Sequence, residues 1–214
     1  HKITGARKIS GALIGVTALA MTSDGSRIVS GGSDGQVRVW NVGGSSQTLI
    51  AMMKEHKATV NCIAIKNNNS QCVTASDDGS CIVWNLDKFI RQGIMYAQTY
   101  FKQAKYLNDE SQILTCGSDK QITYWDAYDC SAIREMRESE KSEINALDIA
   151  QDGEYFASGG LEKHVNVWNY DEGVIVKSGV GHSGAITKIR FSPDSKYICS
   201  VGSEGAIFIW YYRV

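Results

Sequence analysis

The sequence predicts an all-β propeller segment of five four-stranded antiparallel blades, and three observations carry that expectation. The only tryptophans, Trp40, Trp84, Trp125, Trp168 and Trp210, recur at intervals of 44, 41, 43 and 42 residues. A period in the forties holding four strand-sized segments is the signature of a propeller blade. Ten residues before each Trp stands a hydroxyl (Ser30, Thr74, Thr115, Ser158, Ser200), and six before it an acid (Asp34, Asp78, Asp119, Glu162, Glu204). Twenty-four before it stands an apolar residue: Val16, Val60, Phe101, Ile144 and Ile186. The repeats run over 12–55, 56–96, 97–139, 140–181 and 182–214.

Each element follows from this frame. The residue 24 before Trp opens the inner strand, with apolar positions at offsets 0, 3 and 5, as in Val60, Ile63, Ile65 and Ile186, Ile189, Phe191. Val60–Ile65 is therefore the inner strand of the second repeat, and Gln71–Ser76 its second strand. Cys81–Trp84 is the third, reached through the turn Asp77-Asp78-Gly79-Ser80. Glycine supplies the positive φ that hairpin turns demand. The same turn recurs as Ser33-Asp34-Gly35 and Ser203-Glu204-Gly205. A fourth strand follows each Trp, as in Thr48–Met53 and Ala132–Arg137. Apolar runs without clean alternation suit strands packed between neighbouring blades on both faces.

Composition narrows the function classes. The chain has 214 residues and a formal net charge of −1, so it carries no polyelectrolyte signal for nucleic acid or a membrane surface. No run of 18 apolar residues is present to span a bilayer. The six cysteines, Cys62, Cys72, Cys81, Cys116, Cys130 and Cys199, include no Cys-x-x-Cys pair, and they read as small buried hydrophobes. No cluster has metal-ligand spacing, so no metal and no cofactor is expected. His56, Thr74 and Asp78 could suggest acid–base chemistry. The same residue types recur blade by blade, however, which a single active site does not require, so they read as structural and no catalytic residue is expected. The glycine-rich stretch 31–35 leads into a strand rather than a helix, unlike a phosphate loop.

With these motifs in place, the chain resembles the WD40 repeat family over nearly its whole length. The family's Gly-His pair survives as Gly181-His182 and half survives as Glu55-His56; its Trp-Asp survives only as Trp125-Asp126. The resemblance implies a hydrogen-bonded tetrad within a blade, complete as His56, Thr74, Asp78 and Trp84. A second has glutamate in the acid role: His182, Ser200, Glu204 and Trp210. The other three repeats lack the histidine. The resemblance also implies a partner-binding top face, formed by the inner-strand openings Thr17, Asn61, Lys102, Asn145 and Thr187 and the turn residues Ser33, Asp77, Ser118, Leu161 and Ser203.

Finer matches lie in 11–21, 27–32, 37–40 and 179–190, and they resemble ciliary members of the family. That likeness implies a structural role inside axonemal doublet microtubules near the inner junction, with tubulin and neighbouring inner proteins as partners. A cytoplasmic adaptor or substrate-receptor subunit is the alternative that fits the repeat features equally well. The fifth repeat stops four residues past Trp210, and Ile3–Ile9 parses as the outer strand of a preceding blade. The family's usual seven blades therefore imply an arc of a larger ring, with two further blades upstream of His1 or from other parts of the chain; the alternative is a closed five-bladed ring whose last sheet is completed by Ile3–Ile9.

Overall fold

A computed structural model describes residues 15–43, 47–137 and 142–212. Within them 19 strands form five antiparallel sheets, and there is no helix among the described residues. Blade 1 holds β1 (Val16–Met21), β2 (Arg27–Gly32), β3 (Val37–Asn41) and β4 (Thr48–Met53). Blade 2 holds β5 (Val60–Ile65), β6 (Gln71–Ser76), β7 (Ser80–Asn85) and β8 (Ile90–Tyr96). Blade 3 holds β9 (Phe101–Tyr106), β10 (Gln112–Gly117), β11 (Gln121–Asp126) and β12 (Ala132–Arg137). Blade 4 holds β13 (Ile144–Ile149), β14 (Tyr155–Gly160), β15 (His164–Asn169) and β16 (Ile175–Val180). Blade 5 holds β17 (Ile186–Phe191), β18 (Tyr197–Gly202) and β19 (Ile207–Tyr211). Strands pair in chain order within every sheet. Four blades thus have the expected four strands, and the fifth has three among the described residues. Ile3–Ile9, the candidate for an additional strand, lies outside the described residues.

The apolar core is divided among the junctions. One cluster fills each interface between consecutive blades: Val29, Val39, Val60 and Trp84 between blades 1 and 2; Val73, Val83, Phe101 and Trp125 between 2 and 3; Leu114, Tyr124, Phe156 and Trp168 between 3 and 4; Val167, Ile186, Ile189 and Ile198 between 4 and 5. This is why the strands do not alternate in polarity. Central strands such as β7, with burial on both faces, serve two junctions at once.

Turn chemistry positions the top of each blade. Gly35, Gly79 and Gly205 adopt φ of +73°, +82° and +84° five residues before their Trp. In blades 3 and 4 the equivalent residues are Lys120 and Lys163, at φ +66° and +67°. A side chain in that left-handed region costs about 1–2 kcal/mol relative to an ordinary conformation. The turn geometry is therefore imposed by the blade, not by the glycine alone.

Candidate functional site

All ten residues expected on the top face lie at one end of the blades, and their geometry is set by two repeated devices. The first is a bulge. In every blade the second residue of the inner strand is skipped in the pairing register: Thr17, Asn61, Lys102, Asn145 and Thr187. An extra residue in a ladder bends the strand and re-aims its side chain. Three of these side chains are thereby turned onto the next blade. Thr17 Oγ1 donates to Val60 O at 2.6 Å, Asn61 Nδ2 to Phe101 O at 2.8 Å, and Asn145 Nδ2 to Ile186 O at 3.4 Å. Each acceptor is the carbonyl of the residue that opens the neighbouring inner strand. Lys102 instead reaches back to blade 2, pairing with Asp77 Oδ1 at 2.9 Å. Thr187 donates within its own blade, to Val201 O at 3.1 Å.

The second device ties the turns down. The N–H of Ser33, Asp77, Ser118, Leu161 and Ser203 donates to the carbonyl of Gly15, Thr59, Tyr100, Glu143 and Ala185 respectively, at 2.8–3.2 Å. Their backbones are consumed, and the side chains of Ser33, Leu161 and Ser203 remain exposed. Asp77 also accepts from Asn61 Nδ2 at 2.7 Å, so the only acid and the only base of the predicted set form one neutral cluster. Beside it stands Tyr100, 58% exposed, with Lys102 Nζ 5.5 Å from its ring centroid. Tyr100 escaped the sequence reading because its column, 25 residues before Trp, otherwise holds Gly15, Thr59, Glu143 and Ala185.

Beneath this face, each Trp indole N–H donates at 2.8 Å to the hydroxyl ten residues earlier: Ser30, Thr74, Thr115, Ser158 and Ser200. In blade 2 the chain continues. His56 Nε2 lies 2.7 Å from Thr74 Oγ1, and His56 Nδ1 lies 2.9 Å from Asp78 Oδ2. A neutral imidazole carrying its proton on Nδ1 satisfies every link: indole to hydroxyl, hydroxyl to Nε2, Nδ1–H to carboxylate. Burial holds the His56 pKa below its ordinary value, against the opposing pull of Asp78. Burial pushes the Asp78 carboxyl up, but bonds from Ser80, the Lys57 amide and His56 together bring it below the usual range. Blade 5 repeats the pattern. His182 Nε2 is 2.7 Å from Ser200 Oγ and its Nδ1 is 2.5 Å from Glu204 Oε1, which lowers the glutamate pKa.

The blades without a histidine solve the acid differently. In blade 1, Arg38 forms a fork on Asp34, with Nη2–Oδ2 at 2.6 Å and Nη1–Oδ1 at 3.3 Å. In blade 3, burial raises the Asp119 pKa against hydrogen bonds from the Gln121 amide and Thr99. The sequence also gave no sign of a set of charges that joins three inner strands. Asp148 takes Lys105 at 2.9 Å from blade 3, Arg190 at 3.6 Å and the Phe191 N–H at 2.8 Å from blade 5. Lys105, Asp148 and Arg190 share one column, 20 residues before Trp, whose first two members are Ala20 and Ala64. Among the described residues no group of three His, Cys, Asp or Glu side chains could hold a metal ion. No helix there is long and apolar enough to cross a membrane.

Comparison with known proteins agrees with this geometry. The model of the WD domain, G-beta repeat matches residues 7–41, 47–85, 130–169 and 173–211. Each match ends one residue past a Trp. The chain is 49% identical over 199 residues to cilia- and flagella-associated protein 52 of Homo sapiens, covering 93% of this chain and 32% of the relative. It is 54% identical to the protein of the same name from Chlamydomonas reinhardtii, covering 91% of this chain and 39% of the relative. Similarity to WD repeat and SOCS box-containing protein 1 of Xenopus tropicalis is 31% over 108 residues, half of this chain and 25% of that one. The chain therefore spans 32–39% of the length of the ciliary relatives. Five indole–hydroxyl links in register, two histidine–acid pairs and four matched repeats place the chain in the WD domain, G-beta repeat family.

Proposed function

We propose that the chain is part of a non-catalytic scaffold of cilia and flagella: a structural protein inside doublet microtubules near the inner junction, in contact with tubulin and neighbouring inner proteins. The observation that carries this reading is identity of 49% and 54% over more than nine-tenths of the chain to relatives named cilia- and flagella-associated protein 52. The geometry supports a scaffold. The histidine–acid pairs are engaged in links within their own blades, and the bulge side chains of Thr17, Asn61 and Asn145 stitch blade to blade. The top face offers hydrogen-bonding groups at Ser33, Asp77, Ser118 and Ser203 and one aromatic anchor, Tyr100, flanked by Lys102 and Ser118. Aromatic anchors of that kind dominate protein interfaces.

The test is fractionation of cilia expressing the full-length protein. It should stay with doublets after detergent and high-salt extraction, and electron cryomicroscopy should place its density inside the tubule wall. Quantitative release into the detergent-soluble fraction would defeat the proposal.

A further inference from the structure

Every junction brings together the same two columns, the residue 13 before Trp of one blade and the residue two after Trp of the next. Between blades 1 and 2, Arg27 Nη1 donates to Leu86 O at 2.8 Å. Between blades 3 and 4, the Tyr170 hydroxyl donates to Gln112 Oε1 at 2.6 Å. Between blades 4 and 5, Tyr155 and Tyr212 meet ring to ring at 6.1 Å. Between blades 2 and 3 the pair is Gln71 and Ala127, which face each other across a pocket, with no hydrogen bond or ring contact between them among the described residues. Gln71 Oε1 is buried there without a hydrogen-bond partner among the described residues, as is the Tyr106 hydroxyl of the same apolar cluster. An unpaired buried acceptor carries the full desolvation cost of that group.

The vacancy has a volume of about 630 Å³, and its lining explains it. Three side chains fill the junction of blades 3 and 4. The Tyr124 and Tyr170 rings lie 4.9 Å apart, and the Arg134 guanidinium sits 5.8 Å from the Tyr124 centroid and donates to Asp171 O and Glu172 O. Their counterparts between blades 2 and 3 are Val83, Ala127 and Gly93, and all three line the pocket. The backbones correspond. Val83 opposes Gly93 in the ladder as Tyr124 opposes Arg134, and Ala127 N donates to Ser111 O as Tyr170 N donates to Glu154 O. Two aromatic rings and a guanidinium have been replaced by small groups on a matching backbone, and Cys130, which stands where Gly173 stands one junction on, brings its thiol against Gly93 on the pocket wall. The pocket opens at the end of the blades away from the predicted partner face, beside Lys66, Glu110 and the 96%-exposed Tyr128.

We propose that this pocket is a docking site for a tyrosine side chain of a partner protein. Its ring would take the place that Tyr170 takes one junction on, and its hydroxyl would donate to Gln71 Oε1 once the Gln71 amide turns into the pocket it lines. The inference rests on the internal comparison of junctions and does not depend on where in the cell the protein works. The test uses the full-length protein, with N-acetyl-tyrosinamide and N-acetyl-phenylalaninamide as probes in calorimetric titrations. The tyrosine probe should bind saturably and about fivefold more tightly than the phenylalanine probe, as one added hydrogen bond to a buried acceptor requires. Ala127→Tyr should fill the pocket from within, abolish probe binding and raise the melting temperature by about 2–4 °C. Gln71→Leu should remove the preference for tyrosine while leaving residual binding of both probes, and it keeps the test decisive if Ala127→Tyr does not fold. No saturable binding, equal affinities in the wild type, or undiminished binding in Ala127→Tyr each overturns the proposal.

Discussion

Replacing Thr74 by valine tests whether the blade-2 network contributes to stability. Valine keeps the shape of threonine and removes only the hydroxyl. That hydroxyl accepts from the Trp84 indole at 2.8 Å, meets His56 Nε2 at 2.7 Å and reaches Ile82 O at 3.3 Å. Thr74 and Trp84 are both buried, so the indole N–H and the imidazole Nε2 lose their partners where water cannot replace them. Each orphaned group costs about 1–3 kcal/mol, and removing the desolvated hydroxyl returns part of it. The expected net loss is about 2–4 kcal/mol, read from urea unfolding midpoints of the intact protein. Thr74→Ser keeps the hydroxyl and loses one methyl, for about 1 kcal/mol. Ser30→Ala in blade 1 orphans a single, half-buried indole, with no histidine behind it, and should also cost about 1 kcal/mol. A Thr74→Val midpoint no lower than that of Ser30→Ala would refute the cooperative reading of the network.

Three further outcomes follow from the geometry. His56 has a folded pKa below its ordinary 6.5, so its contribution is present above pH 6.5 and is lost as pH falls below that value. The stability gap between wild type and His56→Gln should therefore narrow between pH 7.5 and 5.5, and a gap constant over that range contradicts the burial of a neutral imidazole. Asp78, also depressed, adds a separate loss below about pH 4. Asn61→Ala removes the clip to Phe101 O and should lower stability by about 1–2 kcal/mol; an unchanged urea midpoint would show that the bulge side chain does not stitch the blades. Gly35→Ala places a Cβ 2.5 Å from His56 O at φ +73°, whereas Gly25→Ala at φ +68° meets nothing within 4 Å. The first should cost clearly more than the about 1–2 kcal/mol conformational cost of the second, and thermal melts giving equal shifts would deny the close approach.

Relations within a blade were legible in the sequence; relations between blades were not. Val60–Ile65, Gln71–Ser76, Thr48–Met53 and Ala132–Arg137 are strands at the bounds the Trp frame assigned. A period of about 42 residues aligns each column with itself, so turns, strands and the indole–hydroxyl link can be read from it. It does not say which column of one blade meets which column of the next. The period therefore puts Thr17, Asn61 and Asn145 on the partner face and gives no hint that a bulge turns them onto neighbouring carbonyls. The Lys105–Asp148–Arg190 set needed three inner strands side by side before its charges could be seen to converge. The pocket was hidden for the same reason: Ala127 looks like any small residue until Tyr170 shows what its column touches.

The division of the core into separate junction clusters also has a mechanical consequence. How far two neighbouring blades tilt against each other depends on what fills the junction between them. Close-packed interfaces resist compression, and one lined by small side chains around an open volume resists it least. The junction of blades 3 and 4, wedged by Tyr124, Arg134 and Tyr170, is expected to be the stiffer joint of the two, and that of blades 2 and 3 the more compliant. Blade 3 should therefore tilt more easily against blade 2 than against blade 4.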